Sequence, residues 1–148
     1  MAIKKKVSWL LVGDGAQAQL YSINAQPLRI KKVTSGGFRA TRKTHSQVTG
    51  STKVSKAGGS PRHTIERHTS AHQRHEDAFV GRVAAALDAA AGGGKFDDII
   101  VVLPPRALAH FRKVVAAETQ RKIRQEIQSE WTKLRTPEIE QHLARRLP

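Results

Sequence analysis

Four histidines, His63, His68, His72 and His75, lie close together in this chain, and His68, His72 and His75 fall on one side of a helix if that helix begins slightly early. Imidazoles four residues apart on a helix can hold Zn²⁺. Such a site needs further ligands, and the sequence has no His-Glu-x-x-His pattern, no acid at a familiar offset and no cysteine. The histidines are therefore read as solvated basic residues at a helix start, with no transition metal expected. Asp14, Asp97 and Asp98 are the carboxylates a metal-dependent nuclease would recruit. Their sequence positions are those of turn and cap residues, and no further acid clearly joins them. Gly13-Asp14-Gly15 leads into a strand-like run, so no helix start is available to receive a phosphate, and the triplet reads as a hairpin turn. A nucleophile elbow and a P-loop are both missing, and the lack of Cys removes thiol catalysis.

What survives is a basic stretch, Ser35–His75, with its loop placed at about residues 35–70. Eight cations lie in it (Arg39, Arg42, Lys43, Lys53, Lys56, Arg62, Arg67 and Arg74), against the single acid Glu66. Large apolar residues are few there, so the segment cannot bury enough surface to offset the entropy of its own ordering. Two readings follow: a solvated disordered insert, or a loop that orders on something negatively charged. Arg and Lys interleaved with Gly, Ser and Thr suit contacts to a phosphate backbone. Phe38 is the one aromatic residue of the stretch. That scarcity favours backbone or shape recognition of folded RNA over base stacking on single strands.

The totals agree. The chain has 148 residues, enough for one compact domain, and a formal net charge of +14. A bias of that size concerns partners, with nucleic acid first and an anionic membrane surface second. No run approaches the ~20 apolar residues that span a bilayer, and Asp14 and Gln17 interrupt the apolar run after the basic start. The expectation is a cytoplasmic protein with no secretory signal.

The elements that would position this loop are readable in order. Val7–Val12, Ala16–Ile23 and Leu28–Val33 form a meander of three strands, the third ending before Ser35-Gly-Gly. A helix follows, with Ser70-Ala-His-Gln73 as its capping box, Phe79, Val83 and Leu87 on its inner face, and Gly92-Gly-Gly94 at its end. Asp97–Leu103 is a continuous apolar run, as in a strand covered on both faces. Pro105 opens a helix buried through Leu108, Phe111 and Val115. Arg121–Trp131 is ambiguous: Ile123, Ile127 and Trp131 have helical spacing, while Ile123, Gln125 and Ile127 also alternate. Thr136-Pro137-Glu138 begins a last helix with Ile139, Leu143 and Leu147 inward.

Several runs together resemble the bacterial host attachment protein family. They are Trp9-Leu-Leu-Val-Gly-Asp-Gly-Ala-Gln-Ala-Gln-Leu-Tyr21, Arg62-His63, the stretch from Thr69-Ser-Ala-His72 to Phe79, Lys95-Phe-Asp-Asp-Ile-Ile-Val-Val-Leu-Pro-Pro-Arg106, Thr132-Lys-Leu134 and Thr136-Pro-Glu-Ile-Glu140. Their order along the chain carries the resemblance. That family is similar in turn to the middle domain of archaeal and eukaryotic class I peptide-chain release factors, which has a strand meander, a basic Gly-Gly-Gln loop and then a long helix. Lys56-Ala-Gly58-Gly59-Ser60-Pro-Arg62 stands at the corresponding place. In release factors the Gln helps to position water at the peptidyl-transferase centre, and here Ser60 replaces it. The resemblance implies a strand at Arg121–Gln128.

The expected fold is thus a single α/β domain with a mixed β-sheet flanked by helices, like the release-factor middle domain and ribonuclease H-like. The expected function is non-catalytic, ribosome-associated RNA binding without a cofactor. Arg39, Arg42, Lys43, Lys53, Lys56, Arg62 and Arg67 would meet phosphates, with Gly58, Gly59 and Ser60 at the loop tip. Two alternatives stand beside it: an interaction protein required, directly or indirectly, for attachment to host cells, and a hydrolase of peptidyl-tRNA.

Overall fold

A computed structural model describes residues 6–25, 27–40 and 61–146, with the backbone alone at 34–36 and 61–70. Three antiparallel strands open the chain: β1 (Ser8–Gly13), β2 (Gln17–Ala25) and β3 (Leu28–Arg39). The long helix α1 (Pro61–Gly92) returns the chain to β4 (Asp98–Leu103). Helices α2 (Pro105–Val114) and α3 (Ala117–Lys122) lead into β5 (Ile123–Gln128), and α4 (Thr136–Arg146) ends the described chain. The sheet order is β3-β2-β1-β4-β5, with β1–β2 and β2–β3 antiparallel and β1–β4 and β4–β5 parallel.

The run Asp98–Leu103 lacks polar alternation because it is the covered centre of this sheet: all six residues are buried. Ile99, Val101 and Leu103 face a core made with Phe79, Val83 and Leu87 of α1 and with Leu108 and Phe111 of α2. Ile100 and Val102 face the opposite side, where Trp131 and Ile139 and Leu143 of α4 close a second core with Leu10, Val12 and Tyr21. Full burial of one such side chain stabilises by about 1.5–3 kcal/mol, so both layers are needed to hold the sheet.

Helix α1 does not begin at the expected capping box. It runs through Ser70 from Pro61, because Arg62 to Thr69 contains neither Gly nor Pro and nothing there forces the backbone out of helix. Its end is as expected: Gly94 takes φ 68°, Gly94 N–H donates to the Ala91 carbonyl (3.1 Å) and Lys95 N–H to that of Ala90 (2.9 Å), a Schellman cap.

Strand β3 likewise passes the expected stop at Ser35-Gly-Gly37 and reaches Arg39. The β2 backbone before Tyr21 still requires partners, and Gly37, Phe38 and Arg39 supply them opposite Gln19, Ala18 and Gln17. The register shifts between Gln19 and Tyr21, so that Tyr21 already faces Lys32 and the Gly-containing segment bulges between.

Residues 123–128 form a strand. Its register on β4 also shifts, Ile99 facing Ile123 but Ile100 facing Gln125. The irregularity at Arg124 puts Ile123 against the α1-side core and Ile127 in the α4-side core.

Candidate nucleic-acid interface

The basic stretch leaves the sheet at the end where the parallel strands β1, β4 and β5 finish, which is the usual ligand-binding end of an open α/β sheet. Ala40 N–H donates to the Ala16 carbonyl (2.7 Å), pinning the last described residue before 41–60 to the β1–β2 turn. Between that turn, α1 and the start of α2 lies a cleft of about 760 Å³, lined among others by Asp14, His72, His75, Glu76, Asp77, Arg106 and Glu130.

Three of the four carboxylates lining the cleft, Asp14, Glu76 and Asp77, lie against other parts of the chain. Asp14 Oδ1 accepts from the N–H groups of Ala16 (2.7 Å) and Gln17 (2.9 Å), and its Oδ2 accepts from the Thr132 hydroxyl (3.1 Å). The expected turn residue thus also ties the hairpin to the segment before α4. Glu76 lies over Gly15, where an added β-carbon would come within 2.8 Å of the Glu76 Cγ, and its Oε1 is 3.8 Å from His72 Nε2. Asp77 Oδ1 stands 3.8 Å from His110 Nδ1. At the opposite end of the sheet, where β1 and β4 begin, Asp97 Oδ2 accepts from Val7 N–H (2.7 Å) and Asp98 meets Lys6 at 3.0 Å. Among the described residues no group of three or more His, Asp or Glu side chains is placed to hold a metal ion. Serine, cysteine and lysine are all missing from the described lining of the cleft. Among the described residues the site offers hydrogen-bonding and charged groups at a sheet end.

The positive charge follows a different rule. Five carboxylates, Asp14, Asp88, Asp97, Glu138 and Glu140, accept from backbone N–H groups and so serve as caps and staples. Among the described residues, the Lys and Arg side chains in ion pairs with carboxylates are Lys6 with Asp98 and Arg112 with Glu126 (Nε to Oε1, 2.9 Å). That second pair raises the pKa of the Arg112 guanidinium through its hydrogen bond and charge. Among the described residues, these five carboxylates are bound to the chain's own backbone, whereas most of the Lys and Arg side chains are exposed.

Of the expected phosphate ligands, Arg39 is the exposed last residue of β3. Arg62 and Arg67 lie in the first turns of α1, so the cationic stretch is helical from Pro61 instead of a loop to about residue 70. Arg42, Lys43, Lys53, Lys56, Gly58, Gly59 and Ser60 lie outside the described residues. Arg74 is exposed on α1, and His72 and His75 flank the cleft. Sequence reasoning did not gather Glu76, Asp77, Arg106 and Glu130 into one site, since they come from three separate segments. The Pro-Pro-Arg run after the central strand was the one local signal for Arg106.

Fold and site together define a single α/β domain with a mixed open sheet flanked by helices and a strongly basic surface. The chain belongs to the family described as "Protein required for attachment to host cells", which matches residues 9–143. Among curated proteins none matches. No helix among the described residues is long and apolar enough to cross a membrane.

Proposed function

We propose that this protein binds RNA in the cytoplasm, on the ribosome, through phosphate contacts from the basic stretch and without catalysis. The observation that carries the reading is the division of labour among charges. Five of the twelve carboxylates accept from the fold's own N–H groups, and the chain carries a net +14 for a polyanion. Arg39, Arg42, Lys43, Lys53, Lys56, Arg62 and Arg67 are the proposed phosphate ligands, and Gly58, Gly59 and Ser60 the tip of close approach. The strand order β3-β2-β1-β4-β5, with a long helix after the third strand, supports a ribonuclease H-like fold of the release-factor middle-domain kind. With Ser60 where those factors carry Gln, peptidyl-tRNA hydrolysis is the least supported activity. The attachment role in the family description is, in this reading, an indirect consequence of RNA binding.

The test is a salt titration of binding to purified ribosomes and to structured RNA. Each phosphate contact contributes roughly 0.7–0.9 to the log–log slope, so replacing Arg42, Lys43 and Lys53 together lowers it by about two to three units. Ser60→Gln leaves binding unchanged, because a neutral tip residue releases no counterions. Binding that is absent at low salt, or insensitive to both salt and the triple substitution, removes the RNA reading. The family description then favours the second reading, a protein partner at the cell surface, recoverable in surface fractions.

A further inference from the structure

On the face of the sheet opposite α1, helix α4 covers only part of the strands. Tyr21, Ile23, Leu28 and Ile30 pack with Ile139 and Leu143, but nearer the β1–β2 turn the same face of β2 and β3 presents Gln17, Gln19, Gly37 and Arg39. Between these residues and the segment Trp131–Thr136 lies a groove of about 680 Å³, within the range of small-molecule sites.

Three cations from two segments line it: Lys32 and Arg39 of β3, on either side of its bulge, and Arg135 just before α4. All three are exposed, and none is ion-paired among the described residues. No carboxylate is found in the described lining, and the nearby Glu138 turns back to accept from Arg135 N–H (3.0 Å). Like charges gathered around one concavity repel each other, a cost that a bound anion relieves.

The floor adds a second recognition element. Gln19 Nε2 donates to its neighbour's carbonyl, that of Leu20 (2.9 Å), which fixes the amide. Its Oε1 lies toward Gly37, 3.2 Å from where a β-carbon would stand. A fixed acceptor beside three cations suits a ligand with a hydrogen-bond donor next to a phosphate. Trp131 and Leu134 furnish an apolar wall.

We propose that this groove binds a phosphorylated ribonucleoside, with Lys32, Arg39 and Arg135 on the phosphate and Gln19 accepting from a sugar hydroxyl or a base amine. The nucleotide is either free or the phosphorylated end of an RNA strand. The proposal uses none of residues 41–60, so either it or the loop reading can fail alone.

The probes are adenosine monophosphate, inorganic phosphate, and a short oligoribonucleotide with or without its terminal phosphate, measured by calorimetry. Lys32→Gln combined with Arg135→Gln removes two charge-assisted contacts and weakens nucleotide binding by about tenfold or more. Gly37→Val leaves every charge in place, suits an exposed strand position, and fills the groove, so it abolishes the same binding. Neither change alters the salt slope of structured RNA that the loop cations set. Tighter binding of the monophosphate than of the phosphorylated oligonucleotide identifies a free nucleotide as the ligand, and the reverse identifies an RNA end. The proposal is overturned if no nucleotide binds the wild type at ~1 mM. It is equally overturned if inorganic phosphate binds as well as the nucleotide, or if Gly37→Val binds like the wild type.

Discussion

Replacing Asp14 by alanine removes three acceptor contacts at once. Two go to the N–H groups of Ala16 and Gln17 in the exposed turn, where water takes over part of the loss. The third goes to the half-buried Thr132 hydroxyl and joins the β1–β2 hairpin to the segment entering α4. With net contributions of about 0.5–1.5 kcal/mol each, discounted for the wet pair, the loss sums to about 2 kcal/mol. For a domain of this size that lowers Tm by roughly 4–8 °C. Asp14→Asn keeps Oδ1 for both backbone donors, and its amide can donate to the Thr132 oxygen once that hydroxyl rotates, so its loss stays below about 1 kcal/mol. Thermal unfolding of the two variants, with circular dichroism as the probe, separates geometry from charge. If the asparagine variant falls as far as the alanine variant, the carboxylate's charge matters and the acceptor account is wrong. If neither falls, the turn and the Thr132 tie contribute nothing. RNA binding in both variants keeps the wild-type salt slope, since Asp14 contacts the chain itself.

Three further outcomes follow from particular contacts. Asp88 Oδ1 accepts from Ala116 N–H (3.0 Å) and the fully buried Thr119 hydroxyl (2.6 Å), so Asp88→Ala costs about 1–3 kcal/mol in urea unfolding, and adding Thr119→Val recovers part of it; a double variant that is the sum of the singles refutes the coupling. At Gly13 a β-carbon would stand 2.8 Å from the Ala18 Cβ and 3.2 Å from Leu103 Cδ2, so Gly13→Ala overpacks the hairpin by about 1–3 kcal/mol, and Ala18→Gly relieves it. Burial raises the pKa of Tyr21, the chain's one tyrosine. The neutral phenol is thus favoured by folding: its contribution to stability is complete below about pH 10 and is lost as pH rises through the higher folded-state value. An ultraviolet titration with a midpoint at or below the ordinary tyrosine value would contradict this.

The sequence by itself determined the parts whose cause is local. Asp14-Gly15 made a turn because an Asp side chain can bond the next N–H groups on. Asp98–Leu103 announced its place in the sheet through unbroken apolarity, and Gly92-Gly-Gly94 ended α1 because one residue there had to take a positive φ. The charge excess that motivates an RNA partner was also plain in the composition. Tertiary structure decided the rest, wherever a partner's needs outweighed the local signal. Ser70-Ala-His-Gln73 carries the letters of a cap, yet a cap ends nothing when the residues before it can stay helical. Ile123 and Ile127 are four apart, as on a helix face. A register shift on β4 instead sends them to opposite sides of the sheet, and no spacing rule contains that bulge. The same holds for Lys32, Arg39 and Arg135. The last of these is some hundred residues from the others in the chain, and the three meet in one groove because β3 bulges and α4 stops short of covering it. Convergence of that kind is a property of strand pairing and layer coverage, both long-range, so it emerges only once the chain is folded.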